Sequence, residues 1–128
     1  MIDAVEKGER EVGHQQRLWY VRLLGEEKDV WTAYWTINQR MFRFETFVMP
    51  APEENEQAFY EHLLMRNREL TGMNLEIGDE HAIFLAGSLP LAAVNEAELD
   101  RVLGSMWAYV EKVFRPALRI GFASRFSG

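Results

Sequence analysis

Between residues 17 and 48 the chain alternates apolar with polar positions three times over. The runs RLWYVRLL (17–24), DVWTAYWTI (29–37) and RMFRFETFV (40–48) are rich in aromatic and β-branched residues. Gly25, Glu26, Glu27 and Lys28 separate the first two runs, and Asn38 and Gln39 the second two. A period of two between such turn signals predicts three antiparallel strands in a meander. One face of that sheet carries Trp19, Val21, Leu23, Trp31, Ala33, Trp35, Ile37, Phe42, Phe44, Thr46 and Val48. It is nearly all apolar, so it is expected to pack on helices, with Trp35 in the core. The other face carries Tyr20, Arg22, Thr32, Tyr34, Thr36, Met41, Arg43, Glu45 and Phe47, a mixture that fits a sheet with one solvated side.

After the meander the period changes. In PAPEENEQAFYEHLLMRNREL (50–70), Phe59, Leu63 and Leu70 share one helical face, with Tyr60, Leu64 and Asn67 near it. Pro52 suits the first helical position, Glu53 and Glu54 the first turn, and Gly72 the residue just past the end. Asn67 is a poor helix-interior residue unless its amide has a partner, so it is expected to bond a neighbouring loop or strand end. Two short strands are expected at 74–77 and 81–87, joined by Gly78, Asp79 and Glu80. A second helix starts at Asn95, an N-cap with Glu98 in the capping-box position. Leu99, Val102, Leu103, Met106, Trp107, Val110, Val113 and Phe114 form its broad apolar stripe, and Pro116 is expected to end or kink it near Arg115. Residues 1–16 read as a short polar segment, with at most a short helix over 2–7 and then loop. Residues 120–128 carry no assignment. The order predicts an α+β fold with a mainly antiparallel five-stranded sheet packed by helices.

Composition narrows the class of protein. The 128 residues are 48% hydrophobic and 27% charged, which fits a single globular domain over 1–128. There is no cysteine, so disulfides, thiolate ligands and cysteine nucleophiles are excluded, and a reducing cytoplasm is the expected location. The first residues lack the apolar run of a signal peptide, and no window approaches the ~18 apolar residues of a membrane span. A net charge of −6 argues against general nucleic-acid affinity, which needs a basic surface.

Candidate chemistry is sparse. His62 follows Glu61, but the metal-binding H-E-x-x-H pattern needs a second histidine where Arg66 stands. His14, His62 and His81 fall on three different elements, so no metal or other cofactor is expected. The acidic groups Glu53/Glu54/Glu56 and Glu76/Asp79/Glu80 fall at helix starts or turns, where water screens them, whereas acid/base work needs a shifted pKa. No nucleophile elbow surrounds Ser88, Ser105, Ser124 or Ser127, and no glycine-rich phosphate loop appears. RMFRFETF (40–47) invites comparison with base-stacking RNA-binding strands, but Met41 and Arg43 stand where that pattern has glycines, and Phe42 and Phe44 belong to the core face.

PAPEENEQAFYEHLLMRN, IGDEHAIFLAGSLPLAAV and ELDRVLGSMWAYVE together resemble the YbjN-type family of small bacterial proteins, labelled sensory transduction regulators. The resemblance covers about residues 17–122. It implies the fold of type III secretion chaperones, which are usually dimeric, and an activity of binding another protein; it carries no catalytic residues. The family pattern usually begins with a longer amphipathic helix than residues 1–16 provide, which leaves apolar sheet surface for a partner or a second copy. The expected function is a non-enzymatic protein-binding regulator or chaperone-like adaptor, a homodimer using apolar side chains of the sheet or a helix. Tyr20, Tyr34, Met41, Phe47 and Trp107 are its candidate contact residues. The alternative is a small-molecule-binding domain or enzyme with a pocket between sheet and helices.

Overall fold

A computed structural model describes residues 4–12, 16–25 and 30–126. Six strands form one antiparallel sheet: β1 (Ala4–Val12), β2 (Gln16–Leu24), β3 (Val30–Asn38), β4 (Met41–Met49), β5 (Asn74–Ile77) and β6 (Ile83–Pro90), in the order β1-β2-β3-β4-β6-β5. Helix α1 (Glu56–Asn67) follows β4, and α2 (Glu96–Gly121) follows β6. The α+β class and the antiparallel sheet are those the sequence predicts. The sixth strand is β1, where the sequence reading expected a short helix and loop. Its composition, AVEKGEREV, is poor in strand formers, but pairing with β2 along its length decides the outcome, since tertiary pairing outweighs strand propensity.

The two faces of the sheet are as the alternation assigns them. Leu23, Trp31, Ala33, Phe42, Phe44, Thr46 and Val48 are buried beneath the helices, while Met41, Arg43 and Phe47 on the same strand β4 are exposed. Thr46, the one polar residue of the core among those described, donates its hydroxyl to the carbonyl of Thr32 at 2.6 Å. Trp35 packs against the core, its ring centroid 5.8 Å from that of Phe42, but is only half-buried. Val102, Met106, Val110 and Val113 on α2 and Phe59 and Leu63 on α1 close the core from the other side. Leu103, Trp107 and Phe114, the outer part of the α2 stripe, pack against its margin.

Three boundary expectations need correction. Pro52 does not start α1: the helix begins four residues later, at Glu56, behind Asn55 in the left-handed region (φ 54°). Glu53 and Glu54 lie in the preceding loop, and both of their backbone N–H groups donate to the carbonyl of Gly121. The carboxylate of Glu53 takes two bonds from the Arg125 guanidinium, at 2.7 and 2.6 Å, and that of Glu54 takes both the N–H and the hydroxyl of Ser124. These acids therefore bind the start of α1 to the end of α2. Gly72 has a positive φ of 79° but stands in the loop before β5, since α1 ends at Asn67. Pro116 does not end α2, which runs on to Gly121. Pro116 itself faces solvent, and burial of Ala117 and Gly121 holds the last turns against the core, where Gly121 lies close to the Phe59 ring.

Candidate functional site

The helices cover one side of the sheet. The other side carries no helix among the described residues, and it holds four of the five contact residues read from the sequence. Register brings them together. Tyr20 on β2 stands opposite Tyr34 on β3, and Tyr34 stands opposite Glu45 on β4. Aromatic pairs at such positions reinforce the sheet and present flat apolar surface. Met41 lies on the same strand as Glu45, 42% exposed, at the β4 end paired with Pro90. Phe47, 40% exposed, meets the Phe84 ring edge-on with centroids 5.8 Å apart.

Arg43 on this face is paired with two acids. Arg43 Nη2 lies 3.0 Å from Glu76 Oε1 on β5 and 3.7 Å from Glu45 Oε2. Two strands, β4 and β5, are linked across β6 by the first of these pairs. Sequence reasoning missed Glu76 and Phe84 as members of the face. Both lie beyond the meander, and only the insertion of β6 between β4 and β5 places them beside Arg43 and Phe47.

Trp107, the fifth candidate, is not on this face. It lies on α2 behind the sheet, half-buried, and its indole N–H donates to the Leu24 carbonyl at 3.1 Å. That bond ties α2 to the end of β2. Outside the sheet, Leu64 and Met65 on the outer side of α1 are 69% and 58% exposed.

Asn67 has the structural partner expected of it. Its Oδ1 accepts from the Leu75 N–H at 2.7 Å and its Nδ2 donates to the Leu75 carbonyl at 3.3 Å. The side chain thus caps the outer edge of β5 in the way a neighbouring strand does.

Among the described residues, those weighed for catalysis or metal binding do not converge. His62 is on α1 and His81 in the turn before β6, while His14 lies outside the described residues. Among the described residues no three His, Cys, Asp or Glu side chains form a metal-binding group. Burial, with Arg66 beside it, holds the His62 imidazole below its ordinary pKa, and its Nε2 is buried without a partner. The Arg125 hydrogen bonds hold Glu53 below the usual carboxylate range, and the Arg101 hydrogen bonds do the same for Glu98. Both shifts belong to surface ion pairs. Ser88 sits on the open face opposite Arg43, Ser124 is bonded to Glu54, and Ser127 lies outside the described residues. Phe42 and Phe44 are 4% and 1% exposed, so they offer no stacking surface for bases. Two surface depressions are lined by Arg40, Pro90, Leu91 and Ala92, and by Glu111, Lys112, Arg115, Pro116 and Arg119. Neither lies between sheet and helices. No helix among the described residues is long and apolar enough to cross a membrane.

A sequence model described as "YbjN: Putative bacterial sensory transduction regulator" matches residues 5–119. Three similar proteins are the uncharacterised proteins Rv0487 of Mycobacterium tuberculosis, Mb0497 of Mycobacterium bovis and ML2442 of Mycobacterium leprae. Each is 36% identical over 104 residues, which is 81% of this chain. The matched part spans 57% of the first two relatives and 56% of the third.

Proposed function

Because the chain belongs to the YbjN family, we propose that it is a non-enzymatic, cytoplasmic protein-binding regulator that acts as a chaperone-like adaptor and works as a homodimer. The observation that carries this reading is the uncovered sheet face, where Tyr20, Tyr34, Met41, Phe47 and Phe84 surround paired charges. Aromatic and methionine side chains over a polar rim are the composition of protein interfaces, and large contiguous apolar patches are rare on surfaces that bind nothing. Adaptor function needs a stable platform and a binding face. The tightly buried core supplies the first and the open sheet the second.

The test is capture from native lysate with the immobilised chain, comparing the parent with Tyr34→Glu and Phe47→Glu. Both positions face away from the core, so the fold should persist in circular dichroism. The expected result is a set of proteins held by the parent and lost from both variants. Equal capture by all three, or a small molecule found at one per chain by native mass spectrometry, overturns the reading.

A further inference from the structure

The described side chains of the open face balance in charge, whereas the chain as a whole does not. The chain carries a net charge of −6. Among the described side chains of the face, Arg22 and Arg43 stand against Glu45 and Glu76, and the signs cancel. Like-charge repulsion between two copies is therefore weak over this part of the face.

The charges are also ordered. Arg22 is on β2 and Glu76 on β5, toward opposite ends of the strand order. A two-fold axis along the strands, through the middle of the sheet, lays the β2 end of one copy over the β6–β5 end of the other. Arg22 then approaches the partner's Glu76, and the same contact recurs by symmetry. Tyr34, Met41, Phe47 and Phe84 lie between, around the paired charges of Arg43 and Glu45 on β4.

The size is right as well. Six strands ~4.8 Å apart, most of them nine residues long at ~3.3 Å per residue, give a face of ~700 Å². A stable interface of standard size takes ~800 Å² from each partner. The outer stripe of α2 is a weaker rival, because Leu103, Trp107 and Phe114 already pack within their own chain.

We propose that two copies of this chain associate with their open sheet faces together, related by a two-fold axis along the strands. The proposal rests on the reading that this face binds protein, and it names the occupant as a second copy. Sedimentation velocity of the full chain over a hundredfold dilution tests it. The expected species has twice the 14.9 kDa of one chain at micromolar concentration. Phe47→Glu should be monomeric, and Leu64→Glu, on the outer side of α1, should stay dimeric. Arg22→Glu and Glu76→Arg should each weaken the dimer, because each sets like charges together at two symmetry-related contacts, and the double variant should recover it. The recovery shows that loss in a single variant is not misfolding. A monomeric parent, a dimer that survives Phe47→Glu, or a dimer lost in Leu64→Glu overturns the proposal. Were the parent monomeric while lysate capture still failed in Phe47→Glu, the second copy would be excluded and the protein-binding reading would stand. A dimer abolished by Phe47→Glu with no captured protein in any sample would support self-association and remove the adaptor role.

Discussion

The side-chain amide of Asn67 holds both backbone polar groups of Leu75, at 2.7 Å to the N–H and 3.3 Å to the carbonyl. One residue at the end of α1 thereby fixes the edge strand of the sheet. Asn67→Ala leaves two part-buried backbone groups without that partner, and such a loss typically costs ~1–3 kcal/mol. The urea midpoint should fall by the corresponding amount with an unchanged slope. Asn67→Asp keeps the acceptor but sets a carboxylate against the Leu75 carbonyl, so it should fall between Ala and the parent. A midpoint unmoved in Asn67→Ala would mean that β5 is held by β6 alone.

Gly87 on β6 has no room for a side chain. A Cβ there would stand 2.5 Å from the Gly72 carbonyl oxygen and 2.7 Å from the Phe44 ring. The carbonyl belongs to the backbone and cannot swing aside, so either the loop before β5 or the strand must shift. Overpacking of this kind costs ~1–3 kcal/mol. Gly87→Ala should lower the melting temperature, and trimming Phe44 as well should not restore it, because the closer contact is with the loop. Recovery in Gly87→Ala/Phe44→Leu would identify the ring as the decisive obstacle instead.

Much of this arrangement was legible in the alternation of residues 17–48, because a strand with one buried face must repeat every second residue. The Asn67 bond was legible too, since an asparagine inside an apolar helix needs a reason. The role of Glu53 and Glu54 was not. Acids just after a proline read as helix-start signals, and nothing local reveals that Ser124 and Arg125 lie against them. The same limit hid β1, whose charged, glycine-bearing sequence becomes a strand only through its pairing with β2. Of the open face, the meander's residues could be named from sequence, whereas Phe84 and Glu76 join it through the β4-β6-β5 order. Trp107 stands on the helix the periodicity predicts, but nothing local reveals that its indole reaches the Leu24 carbonyl.

His62 should make stability depend on pH. Burial, with Arg66 beside it, lowers its pKa in the folded state from the ordinary 6.5, against a smaller opposing effect of Glu69. The folded protein then binds fewer protons than the unfolded chain between the two values. Stability is fully present above 6.5 and declines as pH falls from there toward the folded pKa. In His62→Gln that decline should disappear from denaturation midpoints measured across the window. The carboxylates of Glu53, Glu69 and Glu98, each lowered by hydrogen bonds from Arg or Lys, act separately. Their stabilisation is present above 4.5 and is lost as pH falls further, so the two windows can be told apart. A His62→Gln profile that parallels the parent's would assign the slope near neutrality to other groups.

Pro116 stands inside α2 with five helical residues after it. Its ring removes the N–H that would reach the Lys112 carbonyl and crowds that turn, and a helix-interior proline is ~3 kcal/mol less favourable than alanine in simple helices. The residue faces solvent, so no packing is lost when the ring goes. Two effects reduce the gain: proline restricts the unfolded chain by ~0.4–1 kcal/mol, and the surrounding turn has adjusted to it. The balance still favours the substitution, because the helix on both sides is held by buried Val113 and Ala117 and would gain one backbone bond in between. Pro116→Ala should therefore raise the thermal midpoint and leave the oligomeric state unchanged, since α2 lies behind the sheet from the open face. Pro116→Gly separates the two contributions. It frees the N–H without the helix propensity of alanine and should stabilise less. A lower midpoint in Pro116→Ala would mean that the proline sets a bend which the contact of Gly121 with Phe59 requires.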